Sequence, residues 1–286
     1  MPGVAFQGER GAFSEEAAVA LFPDHTMLAK ASFADVFAAV ADGEAEFGVP
    51  AVENSTAGSI NETYDLLMEY QGRLFPRGEY ELHVQQCLMA LPGQTLADLT
   101  TVQSHWQALA QCREYLERLG VKVVQVYDTA GSAKLIREGN LRGVAGIAAR
   151  RAAQIYELEI LADSIQTNMD NYTRFLVVGR EEAPPSTGGK TSVVFVVRDQ
   201  PGMLFRAMAA FAIHEVNVIK LESRPIPGRR WEYRFYADIE GHRDDPDVAA
   251  ALSGLARCTT TLAVLGSYPR LSPAAETGVK AEARGG

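Results

Sequence analysis

Short apolar runs alternate with amphipathic stretches of helical spacing through about residue 180. Apolar runs predict strands, and apolar residues that recur every three or four positions predict helices. Strands are predicted at residues 4–7, 47–52, 82–91, 101–103, 122–127, 144–148 and 174–179. Helices are predicted at residues 14–21, 33–41, 61–70, 106–119 and 130–137. This alternation favours an α/β domain, a parallel sheet with covering helices, over residues 1–180.

The pattern changes after residues 181–190, whose sequence EEAPPSTGGK is typical of a linker. Strands are predicted at 192–198, 217–223, 231–239 and 259–265, with helices from 199 to 213 and over 247–256. Asp199 is the predicted cap of the first helix, with Pro201 at an early helical position. The order βαββαβ predicts a ferredoxin-like α+β domain over residues 191–268, followed by a disordered tail at 269–286.

Composition narrows the possible partners and the compartment. A net charge of −9 argues against nucleic acid as a partner. No apolar run is long enough to span a membrane, and no signal peptide is expected, so the predicted location is the cytoplasm. The three scattered cysteines, Cys87, Cys112 and Cys258, argue against a disulfide framework or a zinc site and favour buried thiols.

Several predicted helices begin with hydroxyl residues just after a strand. Ser14 and Thr129 precede helical stretches, and Ser59-x-x-Glu62 and Ser104-x-x-Gln107 fit a capping box. Each could be an ordinary cap. The alternative is that these N-termini converge at the carboxyl ends of parallel strands, where free amides and helix dipoles would bind a carboxylate ligand.

Five ordered segments are too specific to be generic: FQGERGAFS (6–14), VPAVENSTAGS (49–59), QSHWQALAQC (103–112), DTAGS (128–132) and NYTRF (171–175). In this order they resemble the motifs of the prephenate dehydratase family. PGML (201–204) and LESRP (221–225) resemble the ACT regulatory domain that usually follows in that family. The resemblance covers roughly residues 3–266.

The resemblance implies a two-lobed clamshell, like a type 2 periplasmic binding protein, with the active site between the lobes. One lobe is expected to contain residues 1–77 and 160–180, and the other residues 78–159. The implied reaction converts prephenate to phenylpyruvate, water and carbon dioxide, a step of phenylalanine biosynthesis. Phenylalanine is the implied effector of the ACT domain. Departures from the family pattern are Trp106 in place of proline, Thr167 in place of an aspartate, and Gly202-Met-Leu in place of Gly-Ala-Leu.

The reaction requires an acid that protonates the departing hydroxyl and groups that bind the pyruvyl carboxylate. The ring carboxylate should not be tightly paired, because its charge is lost in the transition state. The resemblance makes Thr173 the acid, acting through a polarising neighbour or as an oriented donor. Glu53 is a second candidate if burial raises its pKa, although it could instead organise its own loop. Arg174 should point away from Thr173, because adjacent strand residues face opposite sides. The substrate-binding candidates are Ser14, Asn54, Ser55, Thr56, Ser104, His105, Gln107, Thr129, Ala130, Gly131, Asn171, Arg174 and Phe175.

The resemblance places the phenylalanine site at a subunit interface of the ACT domain. The candidates are Gly202, Met203, Leu204, Asn217, Glu222, Ser223, Arg224 and Pro225. Edge-to-edge pairing of two such domains would cover exposed strands, so a dimer or tetramer is expected.

No metal or cofactor is predicted, because no nucleotide-binding or metal-binding motif is visible. Two alternatives to prephenate dehydration stay open. One is dehydration of arogenate, which carries an amino group in place of the keto oxygen. The other is a non-catalytic amino-acid sensor with the same two domains.

Overall fold

The computed structural model describes residues 2–185, 188–226 and 228–273. It contains two compact units. One comprises residues 2–64, 80–175 and 272–273, and the other residues 65–79 and 176–271. No helix within the described ranges is long and apolar enough to cross a membrane.

The elements up to residue 180 follow the predicted alternation. The strands are β1 (Gly3–Gln7), β2 (Thr26–Lys30), β3 (Phe47–Gly48), β4 (Ala51–Asn54), β5 (Gly58–Ser59), β6 (Phe75–His83), β7 (Cys87–Ala90), β8 (Thr101–Ser104), β9 (Lys122–Gln125), β10 (Val144–Ala148), β11 (Glu159–Ala162) and β12 (Tyr172–Gly179). The helices are α1 (Phe13–Leu21), α2 (Phe33–Ala41), α3 (Asn61–Glu69), α4 (Trp106–Gln111), α5 (Arg113–Leu119), α6 (Thr129–Glu138) and α7 (Arg150–Ile155). A short 3-10 helix covers Leu96–Asp98.

Two mixed sheets are built from these strands, rather than one parallel sheet. The first has the order β2-β1-β3-β12-β4-β5, with β6 also pairing with β12. The second has the order β11-β7-β10-β8-β9. Parallel pairs such as β1–β2 and β8–β9 coexist with antiparallel pairs such as β4–β12 and β7–β10. Each sheet packs against its own buried apolar cluster, as the two-lobed fold requires.

Several predicted boundaries are wrong. The predicted strand 47–52 is divided at Val49-Pro50, since proline has no N–H for a ladder. The predicted strand 82–91 is divided between His83 and Cys87, and the predicted helix 106–119 breaks at Cys112. The half-exposed strand β2 and the six-residue helix α7 were not predicted, because both are short and weakly patterned.

The capping predictions are also largely wrong. Ser14 lies inside α1, where its hydroxyl donates to the Gln7 carbonyl. Ser104 ends β8 and donates to the Ile147 carbonyl at 2.6 Å, so His105 holds the cap position of α4. Helix α3 begins at Asn61, two residues after Ser59, and the cap of α6 is Asp128, one residue before Thr129.

The C-terminal half has the predicted order βαββαβ. Its elements are β13 (Lys190–Val197), α8 (Met203–Ile213), β14 (Val218–Pro225), β15 (Tyr233–Glu240), α9 (Pro246–Cys258) and β16 (Thr259–Tyr268). The four strands form an antiparallel sheet in the order β14-β15-β13-β16, so β14 and β16 are edge strands. The two helices pack on an apolar core around Phe195 and Phe211.

Two expectations for this half need correction. Helix α8 begins at Met203 with Gly202 as its cap at φ 78°, so Asp199 does not cap it and Pro201 precedes it. The predicted tail starts at 269, yet the Leu271 N–H donates to the Glu79 carbonyl at 2.7 Å and the Pro269 carbonyl accepts from the Glu79 N–H at 3.0 Å. Residues 274–286 lie outside the described residues.

Candidate active site

A cleft of about 380 Å³ lies within the unit formed by residues 2–64 and 80–175. One wall comes from the first sheet and its helices, and the opposite wall from the second. The residues that line it are Gln7, Ala12, Phe13, Ser14, Phe33, Ala51, Asn54, Ile60, Val84, Gln86, His105, Gln107, Ala108, Gln111, Tyr127, Asp128, Thr129, Thr173 and Phe175.

Helix N-termini meet at this cleft. The first turns of α1, α4 and α6 contribute Ser14, Gln107 and Thr129 to its lining. Helices α1 and α4 follow β1 and β8, whose carboxyl ends open towards the cleft. The first amides of a helix have no partner within the helix and carry a partial positive charge, so this arrangement suits an anionic ligand.

Gly11 allows the loop before α1 to pass close to α7. Its φ of +89° is a left-handed conformation, and a Cβ at this position would lie 2.7 Å from Ala152 Cα. The approach is reinforced by an ion pair between buried Glu15 and Arg151 at 3.1 Å. These contacts fix the N-terminus of α1 beside the second sheet.

The pairing of β4 with β12 decides which side chains face the cleft. Thr173 lies opposite Asn54, and Arg174 lies opposite Glu53. Because side chains alternate along a strand, the first pair lines the cleft and the second points to the other face. There Arg174 donates to the Tyr64 hydroxyl at 2.7 Å and lies 3.5 Å from a Glu53 oxygen.

The side-chain amide of Asn54 is held in a single orientation. Its Oδ1 accepts from the backbone N–H groups of Thr56 at 3.1 Å and Ala57 at 3.0 Å. Its Nδ2 carries two hydrogens and has three acceptors in reach, Asn171 Oδ1 at 2.8 Å, Thr173 Oγ1 at 3.0 Å and the Tyr172 carbonyl at 3.1 Å. The oxygen of Thr173 therefore accepts a hydrogen bond, and its own proton is left for a different acceptor.

The electrostatics of the cleft depend on few ionisable groups. The described lining residues include no lysine or arginine. Asp128 is their carboxylic acid, and His105 is their histidine. Burial raises the pKa of the Asp128 carboxyl, while the hydrogen bond from the Gly131 N–H opposes that rise. The remaining polar groups are amides and hydroxyls, and the rest of the wall is apolar.

A family model described as prephenate dehydratase matches residues 4–183, and one described as ACT domain matches residues 191–257. The chain belongs to the prephenate dehydratase family.

Individual relatives span nearly the whole chain. "Arogenate dehydratase/prephenate dehydratase 2, chloroplastic" from Arabidopsis thaliana is 43% identical over 93% of this chain and 72% of its own length. A bifunctional N-acyl-homoserine lactone acylase/prephenate dehydratase from Komagataeibacter europaeus is 38% identical over 93% of this chain and 95% of its own. A crystal structure of prephenate dehydratase from Arthrobacter aurescens in complex with L-Phe has a TM-score of 0.85 and 32% identity, covering 94% of this chain and 90% of that one.

Seven of the residues predicted from the dehydratase motifs line the cleft: Thr173, Ser14, Asn54, His105, Gln107, Thr129 and Phe175. Glu53 and Arg174 lie on the opposite face of the sheet, and Ser104 is buried against Ile147. The hydroxyl of Ser55 donates to the Asp170 carbonyl, away from the cleft lining.

Other candidates lie beside the cleft. Thr56 and Asn171 line an adjoining cavity of about 440 Å³, which also contains both departures from the dehydratase pattern, Trp106 and Thr167. Ala130 and Gly131 are buried in the first turn of α6, where Gly131 N–H donates to Asp128 at 2.7 Å.

Sequence reasoning missed part of the lining: Gln7, Phe33, Val84, Gln86, Gln111, Tyr127 and Asp128. Gln111 and Asp128 lie inside the quoted dehydratase motifs, and Gln111 shares a helix face with Gln107 four positions earlier, so a signal was present. Gln86 precedes a buried strand, and nothing in its neighbourhood marks it as polar lining.

The candidate effector residues of the ACT domain occupy two places. Gly202, Met203 and Leu204 form the start of α8, while Glu222, Ser223, Arg224 and Pro225 end the edge strand β14, with Asn217 just before that strand. Alternate residues of β14 are exposed, as expected for an edge. Arg224 forms an ion pair with Asp65 at 2.9 Å.

Proposed function

We propose that the cleft binds prephenate and that Thr173 donates a hydrogen bond, and in the transition state a proton, to the departing ring hydroxyl. The observation that carries this proposal is the bond from Asn54 Nδ2 to Thr173 Oγ1 at 3.0 Å. A donor directed at the hydroxyl oxygen stabilises negative charge that develops there, so it makes the Thr173 proton more acidic. Asn54 is therefore the polarising neighbour that a hydroxyl acid needs.

The step balances without a cofactor. The bond between the ring and its carboxylate breaks, and its electron pair enters the ring as carbon dioxide leaves. The ring expels the hydroxyl group opposite, which takes up one proton and leaves as water. Prephenate dianion and a proton thus give phenylpyruvate, carbon dioxide and water, and formation of the aromatic ring supplies the driving force.

The charges of the cleft suit this reaction. The pyruvyl carboxylate keeps its charge and is held by the helix N-termini together with Ser14, Gln107 and Thr129. The ring carboxylate loses its charge, so a lysine or arginine beside it would stabilise the ground state more than the transition state. Apolar side chains such as Phe175 and Ile60 provide the wall against which the ring packs.

Glu53 has a positioning role in this proposal. It faces away from the cleft and lies within 3.5 Å of Arg174, whose guanidinium also donates to Tyr64. This pairing supports the register that brings Asn54 opposite Thr173. Thr173 rather than Glu53 then delivers the proton.

Regulation is the second part of the proposal. Phenylalanine binds the ACT domain at the start of α8 and along β14, from Asn217 just before the strand to Pro225 at its end, and inhibits the enzyme. The edge strand β14 pairs in a dimer or tetramer in the cytoplasm. The complex of the Arthrobacter aurescens relative with L-Phe and the exposed edge of β14 support this. A single effector must bind one global state better than another for this to work.

The test is direct incubation of the full chain with prephenate, followed by the appearance of phenylpyruvate. Arogenate is run in parallel, because relatives carry both names and the same cleft chemistry serves both substrates. Turnover of prephenate, persisting after exhaustive chelation, is the expected result. Absence of turnover with either substrate would contradict the enzymatic proposal and favour an amino-acid sensor.

A further inference from the structure

Gln86 is a buried amide at the cleft that the dehydratase motifs do not contain. It immediately precedes β7, and the residue is 2% exposed while lining the cleft. Its backbone is satisfied, since its N–H donates to Gln166 Oε1 and its carbonyl accepts from the Ile165 N–H. Its side-chain Oε1 is buried and has no hydrogen-bond partner among the described residues. A buried acceptor without a partner is costly in a folded protein and calls for an explanation.

The orientation of the Gln86 side-chain amide is set by a series of hydrogen bonds that begins at two backbone N–H groups, those of Thr56 and Ala57. The two backbone N–H groups on Asn54 Oδ1 fix that amide, as described above. The Thr56 hydroxyl lies 2.6 Å from the same Oδ1, which can only accept, so the single Thr56 proton is directed to Asn54. Thr56 Oγ1 must therefore accept from its other neighbour.

That neighbour is Gln111, whose Nε2 donates to Thr56 Oγ1 at 3.3 Å. With its nitrogen directed to Thr56, Gln111 presents Oε1 to Gln86, whose Nε2 donates to it at 3.0 Å. The orientation of each side chain is thus set by the next one, and Gln86 Oε1 is the acceptor that remains without a hydrogen-bond donor among the described residues. We call the sequence Gln86, Gln111, Thr56, Asn54 and Thr173 the amide chain.

All donors of the amide chain run in one direction, from Gln86 towards Thr173. Bonds arranged head to tail polarise one another, so each strengthens the next. Two side chains from the second wall of the cleft, Gln86 and Gln111, are connected in this way to Thr56, Asn54 and Thr173 on the first. The chain ends with one free proton, on Thr173, and begins with one free acceptor, on Gln86.

We infer that Gln86 binds the substrate through Oε1, which accepts a hydrogen bond from an O–H or N–H donor, and that the amide chain couples this contact to the Thr173 proton. The inference rests on the proposed function, because it takes the cleft to be the dehydratase site. The ring hydroxyl is a donor on both prephenate and arogenate, and the amino group is a donor on arogenate alone. A donor bound to Gln86 increases the polarity of its amide and, through the chain, the acidity of Thr173.

Two pairs of variants in the full-length enzyme test the two parts of this inference, the substrate contact of Gln86 and the amide chain. Gln86→Met removes the free acceptor, and Gln103→Met is its control. Gln103 is a buried glutamine of β8 that donates to the Ser132 carbonyl and does not line the cleft. Thr56→Val breaks the amide chain in the middle without altering side-chain size, and Thr56→Ser restores the hydroxyl.

Kinetic constants for prephenate and arogenate, with circular dichroism and melting temperature, form the readout. Gln86→Met is expected to lower kcat/KM by about tenfold or more, the size of effect for a lost buried hydrogen bond, with Gln103→Met close to wild type. Thr56→Val is expected to lower kcat about tenfold with KM nearly unchanged, and Thr56→Ser to recover it. An equal loss on both substrates identifies the ring hydroxyl as the donor, and a larger loss on arogenate identifies its amino group.

Gln86→Met with the same kcat/KM as Gln103→Met would overturn the substrate contact. A folded Thr56→Val enzyme with wild-type kcat would overturn the amide chain, as would equal losses in Thr56→Val and Thr56→Ser. A wild-type enzyme that converts neither substrate would overturn the proposed function and this inference with it, which separates that failure from the other two.

Discussion

At the scale of single residues, Asp128 caps a helix by a hydrogen bond although burial makes its charged form unfavourable. Its side chain accepts from the Gly131 N–H and caps α6, while burial raises its pKa above the usual value. A carboxyl whose pKa is raised in the folded state binds protons more tightly there than in the unfolded chain. Folding stability from this group is therefore present at acidic pH and is lost as the pH rises through the raised pKa.

Asp128→Asn should keep the cap, since asparagine is an equally good N-cap residue. The variant is expected to melt above wild type at neutral pH, and the difference should shrink as the pH falls through the raised pKa towards the unfolded aspartate value. Melting temperatures between pH 4 and 8, which lie in the range where carboxyl groups change charge, give the comparison. A difference that grows towards acid would contradict the raised pKa.

At the same scale, part of the candidate site could be predicted from the sequence motifs. The two-residue period of a strand correctly separates Thr173 from Arg174, and the same period applied to β4 separates Asn54 from Glu53. The register that pairs these strands could not be read from either segment, because it depends on contacts between residues more than 100 positions apart in the chain. Gln86 was missed for the same reason, since its role is set by Gln111 and Thr56.

At the scale of elements, buried Glu79 on β6 shows how the start of β13 is held. Its carboxylate is fully buried and forms an ion pair with Lys190 at 2.5 Å, with Arg270 at 3.7 Å. A buried carboxylate depends on its cationic partners, because desolvation makes an unpaired charge costly.

Lys190→Met should destabilise the protein by about 3 kcal/mol, the typical loss when one partner of a buried pair is removed. Chemical denaturation at neutral pH measures the change, and Glu232→Gln, which removes the exposed pair with Arg229, is expected to cost less than about 1 kcal/mol. Equal effects of the two variants would mean that the Glu79 pair contributes no more than a surface pair.

The order of the elements could be predicted, and their ends largely could not. The βαββαβ order of residues 190–268 follows from apolar periodicity, which is a local property. Helix starts failed where a side chain had a tertiary partner, as when Ser104 bonds to Ile147 instead of capping α4. The missing partners lie in strands distant in sequence, so no local signal contains them.

At the scale of the whole molecule, helix α3 carries two neighbouring contacts of different kinds. The Tyr64 hydroxyl accepts from Arg174, the residue after Thr173. The next residue, Asp65, accepts from Arg224 at 2.9 Å and from the Tyr236 hydroxyl at 3.1 Å. On the proposed effector site, a shift of Arg224 on phenylalanine binding would act on Asp65 and so on α3. Coupling of this kind requires an equilibrium that both sites bias.

Asp65→Asn is expected to weaken phenylalanine inhibition at least about fivefold, which lies within the usual range of allosteric coupling. The basal kcat should stay near wild type. Arg224→Ala should behave alike, and the surface-pair variant Glu232→Gln should retain full inhibition. Inhibition curves at fixed prephenate supply the measurement. Unaltered inhibition in both Asp65→Asn and Arg224→Ala would exclude this contact from the regulation.

The central claim is that the hydroxyl of Thr173 delivers the proton to the departing group. Thr173→Val removes the hydroxyl and keeps the shape of the side chain, and Thr173→Ser keeps the hydroxyl. The measurement is kcat for prephenate in the three enzymes at saturating substrate. The account predicts a fall of roughly 10²–10⁴-fold in Thr173→Val, with KM little changed and most activity kept in Thr173→Ser. A folded Thr173→Val enzyme with wild-type kcat would contradict it.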